Sequence, residues 1–188
     1  MTFVSSLTRL FNKNKPLTNR DTFSHLYRET HVVVFRYIYG LHGEPQAAVE
    51  DLTAETFLRA WKARHRFEGQ PDAALGWLLT IARRLVIDGH RHRQAHGFEV
   101  DIDTMILDSQ QPGLDTQAIK HEEADALLSL LQHLPTEQRE ILVLRYMLGW
   151  RVKDIAAHVS QNENTVSVTI RRTLASLRRE WQQSRMEA

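Results

Sequence analysis

The chain contains no cysteine, which excludes disulfides, thiol nucleophiles and cysteine-ligated zinc. It has no apolar run of about 18 residues, so no segment is predicted to cross a membrane as a helix. The N-terminus, MTFVSSLTRLFNKNKP, lacks the continuous apolar core of a secretory signal, and a cytoplasmic location is expected. No stretch of four or more residues alternates cleanly between apolar and polar, and β-branched residues do not gather between turn signals, so no strand is predicted. Gly-rich phosphate loops, Ser/His/Asp constellations and paired-carboxylate motifs are also missing. Neither an enzymatic activity nor a cofactor is therefore expected. Nor does one sign of charge dominate: 24 Lys and Arg against 23 Asp and Glu give a net +1 over 188 residues.

That near-neutral total hides an asymmetry. Residues 1–20 carry four basic and no acidic side chains, and residues 21–93 carry ten basic and nine acidic. Residues 94–125 carry eight acidic side chains and one basic, Lys120, whereas residues 126–188 return to nine basic and six acidic. Such blocks bear on partners more than on folding.

What periodicity there is has the helical spacing. Phe23, Leu26, Tyr27, Val34, Phe35 and Ile38 share one side of a helix predicted over about Asp21–Tyr39, broken by Gly40, Gly43 and Pro45. Val49, Leu52, Phe57 and Ala60 build the buried side of a second, about Gln46–Ala63, with Asp51, Glu55 and Arg59 on another side. A third runs from about Ala73 to Arg93 on Leu75, Leu78, Leu79, Ala82, Leu85 and Val86. The pattern lapses over 94–117, where Gly97, Pro112, Gly113 and scattered aspartates suit a flexible tether. Helical spacing returns near Ile119, and Pro135 ends a stripe of Leu127, Leu130, Leu131 and Leu134. One helix is predicted over about Glu137–Leu148, stopped by Gly149, then two more over Val152–Val159 and Glu163–Trp181. The expected fold is all-α: two small helical domains joined by a flexible acidic linker.

The last two helices have the spacing of a helix-turn-helix. Val152, Ile155, Ala156 and Val159 form the stripe of a short helix, Ser160–Asn162 the turn, and Val166, Ile170, Leu174, Leu177 and Trp181 the stripe of a longer helix that Asn162 can cap. Such a unit sets the start of its second helix in the DNA major groove. Asn164, Thr165, Ser167, Val168, Arg171 and Arg172 would face the groove, with Arg178 and Arg179 farther along near phosphate or solvent. A helical hairpin packed on another surface is the alternative. In the first half, Arg83, Arg84, Arg91 and Arg93 outweigh Asp88 at the end of the third helix, and Trp77 lies near the loop Phe67–Asp72. Aromatics beside cations suit unstacked single-stranded bases, but Trp77 fits a core position as well, and the cations fit a solvated face. His90 and His92, with His96 four residues on, have no carboxylate or thiol beside them at metal-ligand spacing, so no metal site is expected.

Four segments, AVEDLTAETFLRAWKARHRFEG at 48–69, ALGWLLTIARRLVIDGHRHR at 74–93, LLQHLPTEQREILVLRYMLGWRVKDIAAHV at 130–159 and ENTVSVTIRRTLASLRRE at 163–180, resemble in order and spacing the extracytoplasmic-function (ECF) group of sigma-70-type RNA polymerase sigma factors. The resemblance implies an N-terminal extension (1–20), a region 2 domain (21–93), a linker (94–120) and a region 4 domain (121–188). It implies a non-catalytic subunit that binds core RNA polymerase and directs promoter recognition, DNA opening and transcription initiation. Core polymerase would be met by Asp51, Leu52, Glu55, Phe57 and Trp61. The −10 element would be met by Phe67, Gly69, Trp77, Arg83, Arg84, Asp88, Arg91 and Arg93. The −35 element would be met by Arg151, Lys153, Asn164, Thr165, Ser167, Val168, Arg171 and Arg172. Phe57 and Trp61 also fit a core role at i, i+4. An anti-sigma factor is an implied partner, with Leu52–Trp61 and an exposed Leu148 and Trp150 as its surfaces, and the free chain is expected to be a monomer. Ser167 and Thr169 stand where the family often has arginine, and Arg84 where it has asparagine, so promoter preference is expected to differ. The extension, with Phe3, Val4, Leu7, Leu10 and Phe11 on one face, is expected to be dispensable for polymerase binding; deleting residues 1–18 tests that.

Overall fold

The computed structural model describes residues 17–43, 45–69, 73–96 and 126–187. All elements among them are helical. The first half is a three-helix unit. Helix α1 (Arg20–His42) starts at Asn19, whose side chain accepts the Asp21 N–H at 2.8 Å, a cap that satisfies one of the free amides of the first turn. It buries Phe23, Leu26, Val33, Val34, Tyr37, Ile38 and Leu41. Helix α2 (Gln46–Ala63) adds Val49, Phe57 and Ala60, and α3 (Ala74–His96) adds Leu75, Leu78, Leu79, Ala82 and Val86. The helices follow the spacing read from the sequence, with one correction. Gly40 does not break α1: the helix passes through it and ends at Gly43, where φ is 79° and the N–H reaches the Tyr39 carbonyl at 2.9 Å. A mid-helix glycine costs about 1 kcal/mol relative to alanine, and here packing offsets it. A Cβ on Gly40 would lie 2.7 Å from Val143 Cγ2 and 2.8 Å from Met147 Sδ.

The second half comprises α4 (126–133), α5 (Thr136–Leu142), a π-turn (Val143–Met147), α6 (Val152–His158) and α7 (Glu163–Glu187). The single helix predicted over 137–148 thus divides. After Leu142 the backbone widens, and the Leu148 N–H bonds to the Val143 carbonyl at 3.1 Å, five residues back. A π-turn adds a residue without changing composition, so periodicity does not reveal it. Its effect is to turn Val143 and Leu144 into the core and leave Tyr146 and Met147 on the surface. Gly149, at φ 69°, ends it as expected, with the Trp150 N–H on the Leu144 carbonyl at 2.9 Å.

The two halves do not sit apart. One continuous core contains Val34, Tyr37, Leu78 and Leu79 from the first half and Ile141, Val143, Leu144, Trp150, Ile155 and Val166 from the second. A smaller cluster of Leu134, Leu142 and Leu177 closes α4 and α5 against α7. Trp150, expected on the surface, is buried with its ring edge-on to His158 at 5.4 Å, and Leu148 is half-buried against the core. The reason is the turn at Gly149, which folds Trp150 back under α6. The tether from residue 97 onward and the extension through residue 16 lie outside the described residues. Leu17 is buried, and the Thr18 carbonyl accepts Arg64 Nε at 3.4 Å. A truncation that spares the fold should therefore end before Leu17.

Candidate nucleic-acid and polymerase interface

The expected polymerase face lies on α2. Asp51 is exposed, Leu52 half-buried, and Glu55 holds Arg59 one turn on at 2.7 Å. Phe57 does not belong to that face. Its ring is buried, edge-on to Tyr27 at 4.8 Å. Trp61 packs edge-on against Phe23 at 5.0 Å, and the Arg64 guanidinium covers its other face at 3.6 Å. These rings hold α2 on α1, because i, i+4 positions one turn apart both turn towards the neighbouring helix; the surface is left to Asp51, Glu55 and part of Leu52.

The expected −10 residues divide. Phe67 and Trp77 are half-buried and lie together, centroids 5.0 Å apart at 41°. A Cβ on Gly69 would meet the Phe67 ring at 2.7 Å, so the glycine lets the loop pass over that ring. Arg84, Asp88 and Arg91 are exposed on α3. Arg93 lies on α3, with its side chain outside the described residues. His90 rests against His42 at 5.6 Å. Arg83 is turned the other way. Its Nε donates to Glu140 Oε2 at 2.6 Å.

The −35 set is assembled and open. Asn162 caps α7, its Oδ1 accepting the Thr165 N–H at 2.7 Å. The turn before it holds Ser160 at φ 55° and returns the Gln161 N–H to the Ala156 carbonyl at 2.9 Å. Ile155, Ala156 and Val166 are buried where the two helices cross. Arg151, Lys153, Asn164, Thr165, Ser167, Arg171 and Arg172 are exposed, with Val168 half-buried among them. Asn164, Thr165, Val168, Arg172 and Arg179 line a shallow groove along this face.

Sequence reasoning missed the polar centre between the halves. Glu140 on α5 is almost wholly buried and receives the Tyr37 hydroxyl at 2.6 Å and Arg83 at 2.6 Å, with His158 Nε2 3.5 Å away. Burial alone would push its carboxyl up; the bonds from His158, Tyr37 and Arg83 outweigh that and hold it below its ordinary value. Burial, with Glu140 beside it, pushes the Tyr37 hydroxyl well up. Arg139 crosses the same seam, donating to the Leu41 carbonyl and to the Gln132 and Leu134 carbonyls. Burial draws its guanidinium below its ordinary value. A glutamate between Arg139 and Ile141 carries no local sign of a partner 103 residues away, so only the fold brings these groups together.

Comparison with known proteins points one way. The profile for Sigma-70 region 2 matches residues 26–96, and that for Sigma-70, region 4 matches residues 124–177. The chain is 35% identical over 137 residues to a probable RNA polymerase sigma factor, RfaY, of Xanthomonas campestris pv. campestris, covering 71% of this chain and 34% of that one. It therefore spans about a third of that relative's length. It is 30% identical over 158 residues to the ECF RNA polymerase sigma factor SigL of Mycobacterium tuberculosis, covering 81% of this chain and 85% of that one. Among solved structures, the sigma factor RpoE in complex with the anti-sigma factor NepR from Bartonella quintana shares the fold, with a TM-score of 0.62 at 22% identity, covering 85% of this chain and 96% of that one. No helix among the described residues is long and apolar enough to cross a membrane. With both regions matched in order over the two helical halves, the chain belongs to the ECF group of sigma-70-type RNA polymerase sigma factors.

Proposed function

We propose that this chain meets core polymerase through Asp51, Leu52 and Glu55, the −10 element through Phe67, Trp77 and the exposed Arg84 and Arg91 of α3, and the −35 element through the first turns of α7. The observation that supports this most directly is the capped start of α7. Asn162 fixes the helix start, and Asn164, Thr165, Ser167, Arg171 and Arg172 are exposed around it, the placement that major-groove reading requires. Arginine can bridge two acceptors of guanine, and Val168 can touch a thymine methyl. The Phe67–Trp77 pair offers a half-exposed aromatic surface for an unstacked base, beside Arg84 and Arg91. An anti-sigma factor is the proposed inhibitory partner, covering α2 around Leu52 and Glu55. Trp150 is buried and drops out of that surface.

The test is co-purification with bacterial core polymerase followed by run-off transcription. Stable association and promoter-dependent transcripts are expected. Tight sequence-specific binding of duplex DNA by the free chain at physiological salt, without polymerase association, would instead mark a stand-alone regulator, because each half offers few phosphate-contacting cations by itself.

A further inference from the structure

The shallow groove along α7 carries a donor that α7 itself does not supply. Gln138, half-buried on α5, lines it together with Thr165, Val168, Thr169 and Arg172. Thr173, buried in the same groove, donates its hydroxyl to Gln138 Oε1 at 3.3 Å. That acceptor sets Thr173 apart from Thr30, Thr53, Thr56 and Thr80, whose hydroxyls bond to the carbonyl four residues back in their own helices. A hydroxyl has one proton to give, and Thr173 spends it between helices. With the oxygen of the Gln138 amide held by Thr173, the amide N–H2 is the end left to donate into the groove.

The groove has the chemistry of an anion site. Arg172 and Arg179 supply positive charge, Asn164 and Thr165 supply polar groups, and none of its lining residues is acidic. Glu180, outside the groove, accepts the Ser176 hydroxyl at 3.1 Å. We infer that Gln138 donates to a backbone phosphate of −35 DNA, on the rim of the major groove that the first turns of α7 enter, and that Thr173 is the positioning residue that aims its amide. Phosphate contacts fix register and orientation and carry no sequence information themselves. Gln138 anchors the recognition helix from a second helix, so that Val168 and Arg171 meet base edges in one register. The inference rests on the −35 reading above and adds to it a contact from outside the helix-turn-helix.

The test measures promoter binding by the full-length chain in complex with core polymerase. Gln138→Ala is expected to weaken binding about tenfold, the worth of one hydrogen bond to a charged acceptor, and by the same factor for every single-base variant of the −35 element. Gln138→Glu should weaken it further, because a carboxylate then faces a phosphate. Promoters carrying one neutral methylphosphonate at a time locate the contact. One −35 position should lower the affinity of the wild type and make no difference to Gln138→Ala, a loss of sensitivity that a merely structural role does not produce. Binding by Gln138→Glu equal to that of the wild type would overturn the inference. So would identical methylphosphonate profiles for the wild type and Gln138→Ala.

Thr173→Val keeps the shape of the buried side chain and removes the proton. It should cause part of the Gln138→Ala loss in the wild type and no further loss when added to Gln138→Ala, the non-additivity of two residues that act through one contact. Fully additive losses would overturn the positioning role of Thr173. Arg171→Ala and Arg172→Ala separate this inference from the reading beneath it. If they relax base preference while the Gln138 variants bind as the wild type does, the phosphate contact falls and the −35 reading stands. If they leave both affinity and base preference unchanged, the −35 reading falls and the inference falls with it.

Discussion

Ser160 adopts φ 55° in the turn between α6 and α7, a conformation that costs a residue with a Cβ about 1–2 kcal/mol relative to a right-handed one. Glycine removes that cost but gives part of it back as unfolded-chain entropy. Ser160→Gly is therefore expected to raise stability by about 0.5–1 kcal/mol, read as a higher urea midpoint with an unchanged slope. On α7, alanine at Arg171 or Arg172 should cost about 1–3 kcal/mol of −35 binding in the polymerase complex and relax preference at one base pair. Alanine at Arg179 should weaken all sequences evenly; footprinting of a set of single-base variants separates the two. These residues were legible in the sequence because a helix-turn-helix fixes its exposed positions by spacing. Arg83 was not. Its place in a basic run pointed to DNA, and only Glu140, from a segment 57 residues later, explains why it turns inward.

At the scale of the element, α2 shows how two roles share one helix. Asp51 and Glu55 look outward, while Phe57 and Ala60 pack inward on α1 and α3. Asp51→Arg with Glu55→Arg should weaken polymerase binding while leaving stability nearly intact, since the exposed Glu55–Arg59 pair contributes under about 1 kcal/mol. Phe57→Ala should do the reverse, costing about 3–5 kcal/mol of folding. Pull-down against core polymerase beside urea denaturation checks both; polymerase binding unchanged by the double reversal would remove the role proposed for this face. Helix existence followed directly from periodicity here. What periodicity could not supply were events that leave composition unchanged: the passage of α1 through Gly40, the π-turn at Val143–Met147, and the burial of Trp150 behind Gly149.

For the whole molecule, two helical halves were readable from the lapse of pattern after residue 94, but their union was not, because a shared core needs contacts that no local window contains. That union should depend on pH in a defined direction. Glu140 has its folded-state pKa below the unfolded one, so its charge stabilises the closed form above the ordinary carboxylate value, about 4.3, and the contribution is lost as pH falls through the folded value. The neighbours facing it are Tyr37 from α1, Arg83 from α3 and His158 from α6. Dyes on cysteines introduced at the exposed Ala54 and Ala175 should report constant separation of the two halves down to about pH 4.3 and widening below it; widening that begins near neutrality would contradict this assignment. The Tyr37–Glu140 contact also has a consequence in time. Its partners are 103 residues apart, and at synthesis rates of about 5–20 residues per second the first half waits roughly 5–20 seconds for the segment that covers it. During that interval the nascent chain carries the α1 face around Tyr37 and Gly40 bare, so a ribosome-bound intermediate is sticky on one side while the α2 face proposed for polymerase is already formed.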